Sequence, residues 1–576
     1  MSATNDNMVP TMNASASSSP REDAVPSAHP SFEADVEDKA HQTGNDKATT
    51  NLFANAAAAT EKEHKMTLME GIRLYPKAIA WSVIISSTCA MEGYDVSLVG
   101  NFYAFPPFNR KYGELYPDGS YQVPARWQSG LSNGSQVGQI LGLIVNGFCT
   151  ERFGYRRVLI VCLVWLMAVI TIFFCAPNIQ TLLAAEILAG IPWGVFQSIA
   201  ISYASEVCPI ALRGYLTCYA NFCWGWGQLV GIGVIRAMFS RSDQWAYRIP
   251  YGVQWVWPPL ILLGVIFAPE SPWWLVRKGR IEDAKHAMRR LTSPKRDPTF
   301  DVDESVDMIR HTTELEKDLT SGASYLDCFK GIDLRRTEVV CAIWAIQNLS
   351  GNTFSNYSTY FFEQAGLNGT IPYDFAMGQY AINMIGVFGA WGLMAAGLGR
   401  RTLLLLGLCG LSTTLFVMGF VGLVPDSHRH ASALATGTLM LVWAVFYQCS
   451  VGTVAYSLVG EISSRRLAIK TVALGRAAYN VIAIINNVLT PYMINPTAWN
   501  WGNYAGFFWG GSCLLCLIYA YFRVPEPAGR TYAELDVLFE KKVSARKFKS
   551  TPVNAFDLTL RHSIDKKPET SHHEKV

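Results

Sequence analysis

Twelve times between residues 78 and 523 the chain runs through about twenty mostly apolar residues, the length an α-helix needs to cross a bilayer. These runs fall at 78–101, 127–149, 158–176, 181–204, 214–238 and 250–268, then at 337–361, 374–397, 402–423, 432–459, 468–492 and 502–523. Inside hydrocarbon every backbone N–H and C=O must be satisfied within the protein, so each run is expected to be a helix. Two sets of six separated by a polar stretch predict an all-α membrane protein with twelve transmembrane helices in two six-helix bundles, the doubling found in many transporters. The expected parts are a disordered tail at 1–72, rich in Ser, Ala, Asp and Asn, bundles at 73–269 and 337–523, a central loop at 270–336, and a helix with tail at 524–576.

Composition narrows the function. Of 576 residues, 50% are hydrophobic and only 16% charged, against about a quarter charged in a soluble domain. A net charge of +3 is too small to point to nucleic acid. The 13 cysteines lack metal-ligand or secreted-framework spacing; Cys513-Leu-Leu-Cys516 lies in an apolar run and reads as packing. No P-loop or HExxH pattern appears, so composition and motifs together argue against a soluble enzyme, and no metal is expected. Lys and Arg near the span ends set orientation. One side carries Arg152, Arg156, Arg157, Arg213, Arg400, Arg401, Arg465, Arg466 and Lys470; the other holds chiefly Arg110, Lys111, Arg126, Arg241, Arg248 and Arg429. Both termini are therefore expected to be cytoplasmic. Asn368-Gly-Thr370 then falls in an outer loop as a glycosylation candidate, although the same pattern at Asn133 and Asn356 lies inside spans. Ile281, Ala284, Met288 and Leu291 recur at helical spacing. Thr531-Tyr-Ala-Glu534 reads as a capping box before Leu535, Leu538 and Phe539. Both predict a cytoplasmic helical layer.

Within the spans, Gly130, Gly134, Gly138 and Gly142 form a stripe that lets another helix approach closely, as fixed packing or as a surface that slides. Ionisable groups there cost about 2.5–3.5 kcal/mol at mid-membrane and are functional candidates. Glu92 and Asp95 share one helical face; Glu186 and Arg476 lie in the fourth and eleventh runs. Burial raises a carboxyl pKa and a cation lowers it, so such groups can exchange a proton; the alternative is a permanent ion pair between the halves. Amides recur as Asn221 and Gln228, as Gln347, Asn348 and Asn352, and as Asn480, Asn486 and Asn487. Trp224, Trp226, Tyr357, Tyr360 and Tyr456 offer stacking faces. Amides with aromatics suit a neutral polyhydroxylated solute better than an ion.

Ordered motifs then resemble the sugar-porter branch of the major facilitator superfamily. They are Gly147-x-x-x-Glu151-Arg152-x-Gly154-Tyr155-Arg156-Arg157, Glu206 through Arg213-Gly214, and Glu461 with Arg465 and Arg466. Pro269 through Arg280 and Pro525 through Asp536 follow the sixth and twelfth runs. Met91-Glu-Gly-Tyr-Asp95, Gly100-Asn-Phe-Tyr103, Ile191-Pro-Trp-Gly194 and the pair Trp273-Trp274 resemble the fungal α-glucoside (maltose-type) permeases. The resemblance implies proton-coupled import of a maltose-like sugar by rocking of two bundles. It implies proton coupling at Asp95, Glu92 and Arg476, with sugar contacts at Asn221, Gln347 and Tyr456; the amide pattern adds Gln228, Asn348 (where the family usually has a second Gln) and Asn352 as substrate-binding candidates. It also implies a cytoplasmic gate of Glu151, Arg152, Glu206, Arg213, Glu461 and Arg465, the Glu206–Arg213 and Glu461–Arg465 pairs holding that side shut.

Departures from the pattern carry their own expectations. Glu186 stands nearest the place where many sugar porters have an arginine, so Arg476 is expected to supply the counter-charge to Asp95. Gln139 replaces an acid common among proton-linked relatives, so coupling rests on Asp95 and Glu92 or is weakened. Ala396-Gly397 replaces an Asp-Arg pair before Gly399. A facilitated uniporter, a non-transporting sugar sensor and an exporter of a glycosylated metabolite remain as alternatives. The expected partners are a sugar, the lipid bilayer (most simply the plasma membrane) and no nucleic acid, with a monomer as the working unit and no cofactor beyond the coupling proton.

Overall fold

The computed structural model describes Lys62 and residues 66–552, apart from 117–118, 294–299, 321–323, 368, 426–428, 464–466, 529 and 531. After a short helix at Leu68–Leu74, the first span runs as Pro76–Ser86 and Thr88–Phe102, with Ser87 at the joint. The second to fifth follow as Ala125–Phe153, Tyr155–Cys175, Ile179–Val207 and Ile210–Met238, and the sixth runs from Trp245 to Phe267 through one tight turn at Gln254–Val256. The seventh is Gly331–Gln347, a widened turn at Asn348–Asn352, then Thr353–Asn356 and Ser358–Ala365. The eighth and ninth are Ile371–Ala395 and Arg400–Val421; the tenth is Arg429–Cys449 joined to Val451–Ile462; Ala468–Ile494 and Ala505–Arg523 complete the set. The small hairpin Glu114–Leu115 with Tyr121–Gln122 lies between the first two spans.

Among the described residues, seven helices are long and apolar enough to cross a membrane by length and composition. The first, second, fifth, seventh and eighth are broken or rich in glycine, amide and hydroxyl residues. Their polar atoms need partners that lipid cannot give, so these helices must turn toward protein or water.

The glycine stripe of the second span meets the fourth. A Cβ on Gly138 would lie 2.3 Å from the Ile187 carbonyl oxygen, and one on Gly142 2.1 Å from that of Ile191. Gly190 and Gly194 answer from the fourth span, at 2.4 and 2.3 Å from the Ser135 and Gln139 oxygens. Both helices belong to the first half, so the stripe is fixed packing inside one lobe. The sliding reading is corrected accordingly, and a Cβ on Gly130 would meet nothing within 4 Å. The first and fifth spans approach in the same way, through Gly93 and Gly227.

Two carboxylates repeat one device in both halves. Glu270, just past the sixth span, accepts from the backbone N–H of Tyr155 at 3.0 Å and Arg156 at 3.3 Å, satisfying the start of the third span. Glu526, just past the twelfth, does the same for Arg400 and Arg401 at 2.9 and 3.0 Å. Burial pushes the Glu270 carboxyl above its usual range, against the pull of those backbone donors. Below the lobes lies a layer of short helices. Ala284, Met288 and Leu291 of Ile281–Leu291 are buried, as are Leu535, Leu538 and Phe539 of Tyr532–Glu540, where Arg336 sits 4.4 Å from the Phe539 ring centre. Thr531 lies outside the described residues. Cys513 and Cys516 are buried, unpaired packing residues.

Candidate functional site

Glu92 and Asp95 are both buried in the continuous part of the first span. Their three-residue spacing puts them side by side, yet their partners differ. Glu92 accepts hydrogen bonds from Gln197 Nε2 of the fourth span at 2.6 Å and from Gln139 Nε2 of the second at 3.3 Å. Asp95 accepts from Gln254 Nε2 of the sixth span at 2.7 Å, and Glu186 of the fourth span is hydrogen-bonded to it. Two carboxyl groups can share a hydrogen bond only with a proton on one of them.

Arg476 comes from the eleventh span, in the other lobe. Its Nη2 donates to Gln197 Oε1 at 2.8 Å, and its guanidinium lies 4.5 Å from the ring centre of Tyr479 and 5.2 Å from that of Trp344. Such stacking retains a desolvated cation. The expected counter-charge is thus corrected: Arg476 reaches Glu92 through Gln197, while Asp95 is held by Gln254 and Glu186. In the first span the acid that faces the other lobe is Glu92.

The amides divide into two groups. The break in the seventh span, where Gly351 takes φ 97°, frees carbonyls. Asn486 Nδ2 donates to the Asn348 oxygen at 3.1 Å, and Trp443 Nε1 to that of Ser350 at 3.2 Å. Gln347 Nε2 donates to the Gly452 oxygen at 3.1 Å, beside the break in the tenth span, and Asn348 Nδ2 to that of Tyr479 at 3.1 Å. These side chains are occupied in holding broken helices. In contrast, Gln228 Oε1 of the fifth span and Asn480 Oδ1 of the eleventh are buried acceptors with no hydrogen-bond donor. Asn352 hydrogen-bonds Tyr479, Asn221 is half-buried, and Tyr456 is 42% exposed with its ring edge-on to Trp344 at 4.9 Å. Of the other aromatics, Tyr357 is buried and its hydroxyl lies 2.7 Å from Ser132 Oγ.

Contacts between the lobes gather at the end away from the termini. Asn101 bonds Thr359. The Tyr373 hydroxyl donates to the Ala104 oxygen at 2.9 Å, Arg236 pairs with Asp374 at 2.8 Å, and Asn495 Nδ2 donates to the Val123 oxygen at 3.3 Å. A Cβ on Gly100 would sit 2.4 Å from the Asn356 oxygen. At the opposite end the expected Glu206–Arg213 and Glu461–Arg465 pairs each rest on an arginine whose side chain lies outside the described residues, and the carboxylates have other partners that are described. Glu206 pairs with Arg277 at 2.7 Å and accepts from the Ser271 and Tyr155 hydroxyls; Glu461 pairs with Arg400 at 3.3 Å. Each network closes within its own lobe. Glu151 and Arg152 form the exposed last turn of the second span, while Arg465, Asn368 and the side chain of Arg213 lie outside the described residues.

Sequence reasoning passed over Gln197, Gln254, Trp344 and Tyr479. Their signal was available, as amides and aromatics within apolar runs, but which of them face an acid depends on how the helices pack.

The family described as "Sugar (and other) transporter" matches residues 81–539. The chain is 40% identical over 511 residues to the general alpha-glucoside permease of Saccharomyces cerevisiae strain S288c, covering 88% of this chain and 82% of the relative. It is 40% identical over 507 residues to maltose permease MAL31 of the same strain, covering 87% and 82%. Among solved structures, the inward open conformation of the xylose transporter XylE from E. coli aligns with a TM-score of 0.65 at 19% identity, covering 80% of this chain and 99% of that one.

Proposed function

The chain belongs to the sugar transporter family, and from that premise we propose that it imports an α-glucoside of the maltose type together with a proton. Two lobes of six helices alternate access around a central site. The observation that carries this reading is that one of two buried acids in the first span, Glu92, is linked through Gln197 to an arginine of the other lobe, in a chain whose spans also hold unpartnered amide oxygens at Gln228 and Asn480. A sugar hydroxyl donates readily to such oxygens, and a buried acceptor left without a donor costs about 1–3 kcal/mol. Gln228 and Asn480 would receive hydroxyls from opposite sides, Asn221 and Asn352 would add contacts, and the exposed face of Tyr456 would stack on a pyranose ring.

Positive residues near the span ends favour cytoplasmic termini, which makes the shut end the external one and the described state inward-facing. Protonation of the acid cluster in the outward-facing state removes negative charge opposite Arg476 and lets the loaded site close. Glu186 already shares a proton with Asp95 in this reading, so Glu92 is the group left to respond to Arg476. The plasma membrane and a monomeric unit belong to the same reading. A uniporter is the second reading, favoured by the neutral Gln139 that stands against Glu92.

The decisive test is uptake of labelled disaccharides by vesicles with external pH recorded in the same run. Addition of the right α-glucoside should alkalinise the medium. Glu92→Gln should abolish accumulation while sparing counterflow; accumulation at the wild-type level in that variant would sink the coupling scheme.

A further inference from the structure

One hydrogen-bonded contact between the lobes stands apart from the external cluster. It runs through Gln197, whose amide sits between an acid and a base. The nitrogen donates to Glu92 at 2.6 Å, and the oxygen accepts from Arg476 at 2.8 Å. A neutral amide has one donor end and one acceptor end. Here the two charges dictate which end points where, because turning the amide over would set its NH2 against the guanidinium and its oxygen against the carboxylate. Pro192, inside the same helix, lies five residues before Gln197. It leaves the Leu188 carbonyl without its helical donor, and Trp165 Nε1 of the third span supplies one at 3.0 Å. The stretch that carries Gln197 is therefore anchored from outside the helix.

We propose that Gln197 is a positioning residue for coupling: it ties the lobes together while Glu92 carries its charge and lets them part when Glu92 takes up a proton. This deepens the proposed function and rests on it for its purpose, though the bridge can be tested without a sugar. The mechanism is plain hydrogen-bond chemistry. A carboxylate accepts strongly from the Gln197 N–H, and a charge-assisted bond is about twice as strong as a neutral one. Protonated, Glu92 loses that advantage, the amide is no longer polarised from the Glu92 side, and its oxygen holds Arg476 less well. The guanidinium keeps a resting place against Tyr479 and Trp344, so release does not strand it. The groups facing Glu92 are Asp95 and Cys89 of its own span, Gln139 of the second, Gln197 of the fourth, and Arg476 and Tyr479 of the eleventh, with Glu186 of the fourth beyond Asp95 and Cys223 of the fifth beyond Cys89. Arg476 alone among them is a cation.

Two assays on the full-length protein test this. In the first, purified wild type, Gln197→Met, Glu92→Gln and the double variant are melted without substrate at about pH 7.5 and about pH 5.5. Methionine keeps the shape of glutamine and loses both hydrogen bonds. Gln197→Met should lower the midpoint by roughly 2–4 °C at the higher pH, the gap from wild type should narrow at the lower pH, and the substitution should add little in the Glu92→Gln background. Shifts that add in full, or a gap that ignores pH, overturn the proposal. Should Gln197→Met fail to fold, Gln197→Glu keeps the acceptor for Arg476 and sets a second carboxyl against Glu92. Its midpoint relative to wild type should rise as pH falls, and a constant difference overturns the proposal. In the second assay, Gln197→Met in vesicles should flatten the pH dependence of α-glucoside accumulation by about tenfold while counterflow persists; an unchanged profile overturns the proposal. If wild-type vesicles accumulate no α-glucoside, the proposed function fails and the melting cycle still judges the bridge.

Discussion

At Glu92 three neighbours set the chemistry, and two of them, Gln139 and Gln197, are neutral amides. A neutral donor steadies a carboxylate without neutralising it, so Glu92 keeps its attraction for Arg476. Replacing Gln139 by Glu would put a second carboxyl against the first, and the two could not both ionise in contact. Gln139→Glu should therefore retain one proton more readily and steepen the pH dependence of uptake, raising the ratio of accumulation at acid to neutral pH by about threefold or more. Initial rates of labelled sugar uptake over a pH series provide the measurement, and an unchanged ratio would remove this position from the coupling. The acids and Arg476 were legible in the sequence because a charge within an apolar run stands out. Their pairing was not, since Asp95 and Glu92 lie three residues apart and only the packing of the second, fourth and sixth spans against them decides which one meets which amide.

Among the elements, the informative helices are those that break. The fourth span continues through Pro192 because the indole of Trp165 reaches the Leu188 carbonyl from the third span. Trp165→Phe removes that donor while keeping an aromatic ring against lipid, and should cost about 0.5–2 kcal/mol, read as a lowered melting midpoint in detergent at constant expression. The seventh span breaks at Gly351 and is held by Asn486 and Trp443. Twelve apolar runs were visible from hydropathy alone, and the short amphipathic helices from their spacing. The break was not, because Gly351 is one of 46 glycines in the chain. Nothing in the local pattern separates the glycine that adopts positive φ from one that admits a neighbouring helix. The amides beside it read equally well as ligand contacts or as helix caps, and several turn out to cap.

For the molecule as a whole, the two lobes meet at one end and are joined away from it by Gln197 and Arg476. Gly100 is a close backbone approach across the shut end, with the Asn356 oxygen where a side chain would begin. Gly100→Ala should wedge that end open and shift the population toward the opposite state. A cysteine placed at Ser132, which contacts Tyr357 across the lobes, should then react with an impermeant maleimide about tenfold faster; equal rates in both backgrounds would show that the contact yields locally. In the proposed cycle, one proton crossing 100 mV supplies about 2.3 kcal/mol and one pH unit about 1.4. Together these sustain roughly a several-hundred-fold sugar gradient, which counterion-free uptake through a uniporter could not hold. Measured accumulation ratios therefore separate the two readings directly.

The chain's apolar runs, its doubled organisation and the presence of acids and an arginine inside the spans are local properties, legible from order and spacing because a bilayer admits few backbone solutions. Partner choice is different. The glycine stripe belongs to packing within one lobe, Glu206 takes Arg277 of the central loop and Glu461 takes Arg400, and Arg476 finds Glu92 by way of Gln197. Each of these depends on residues tens or hundreds of positions apart being brought within hydrogen-bond reach, and only the packing of helix against helix sets those distances.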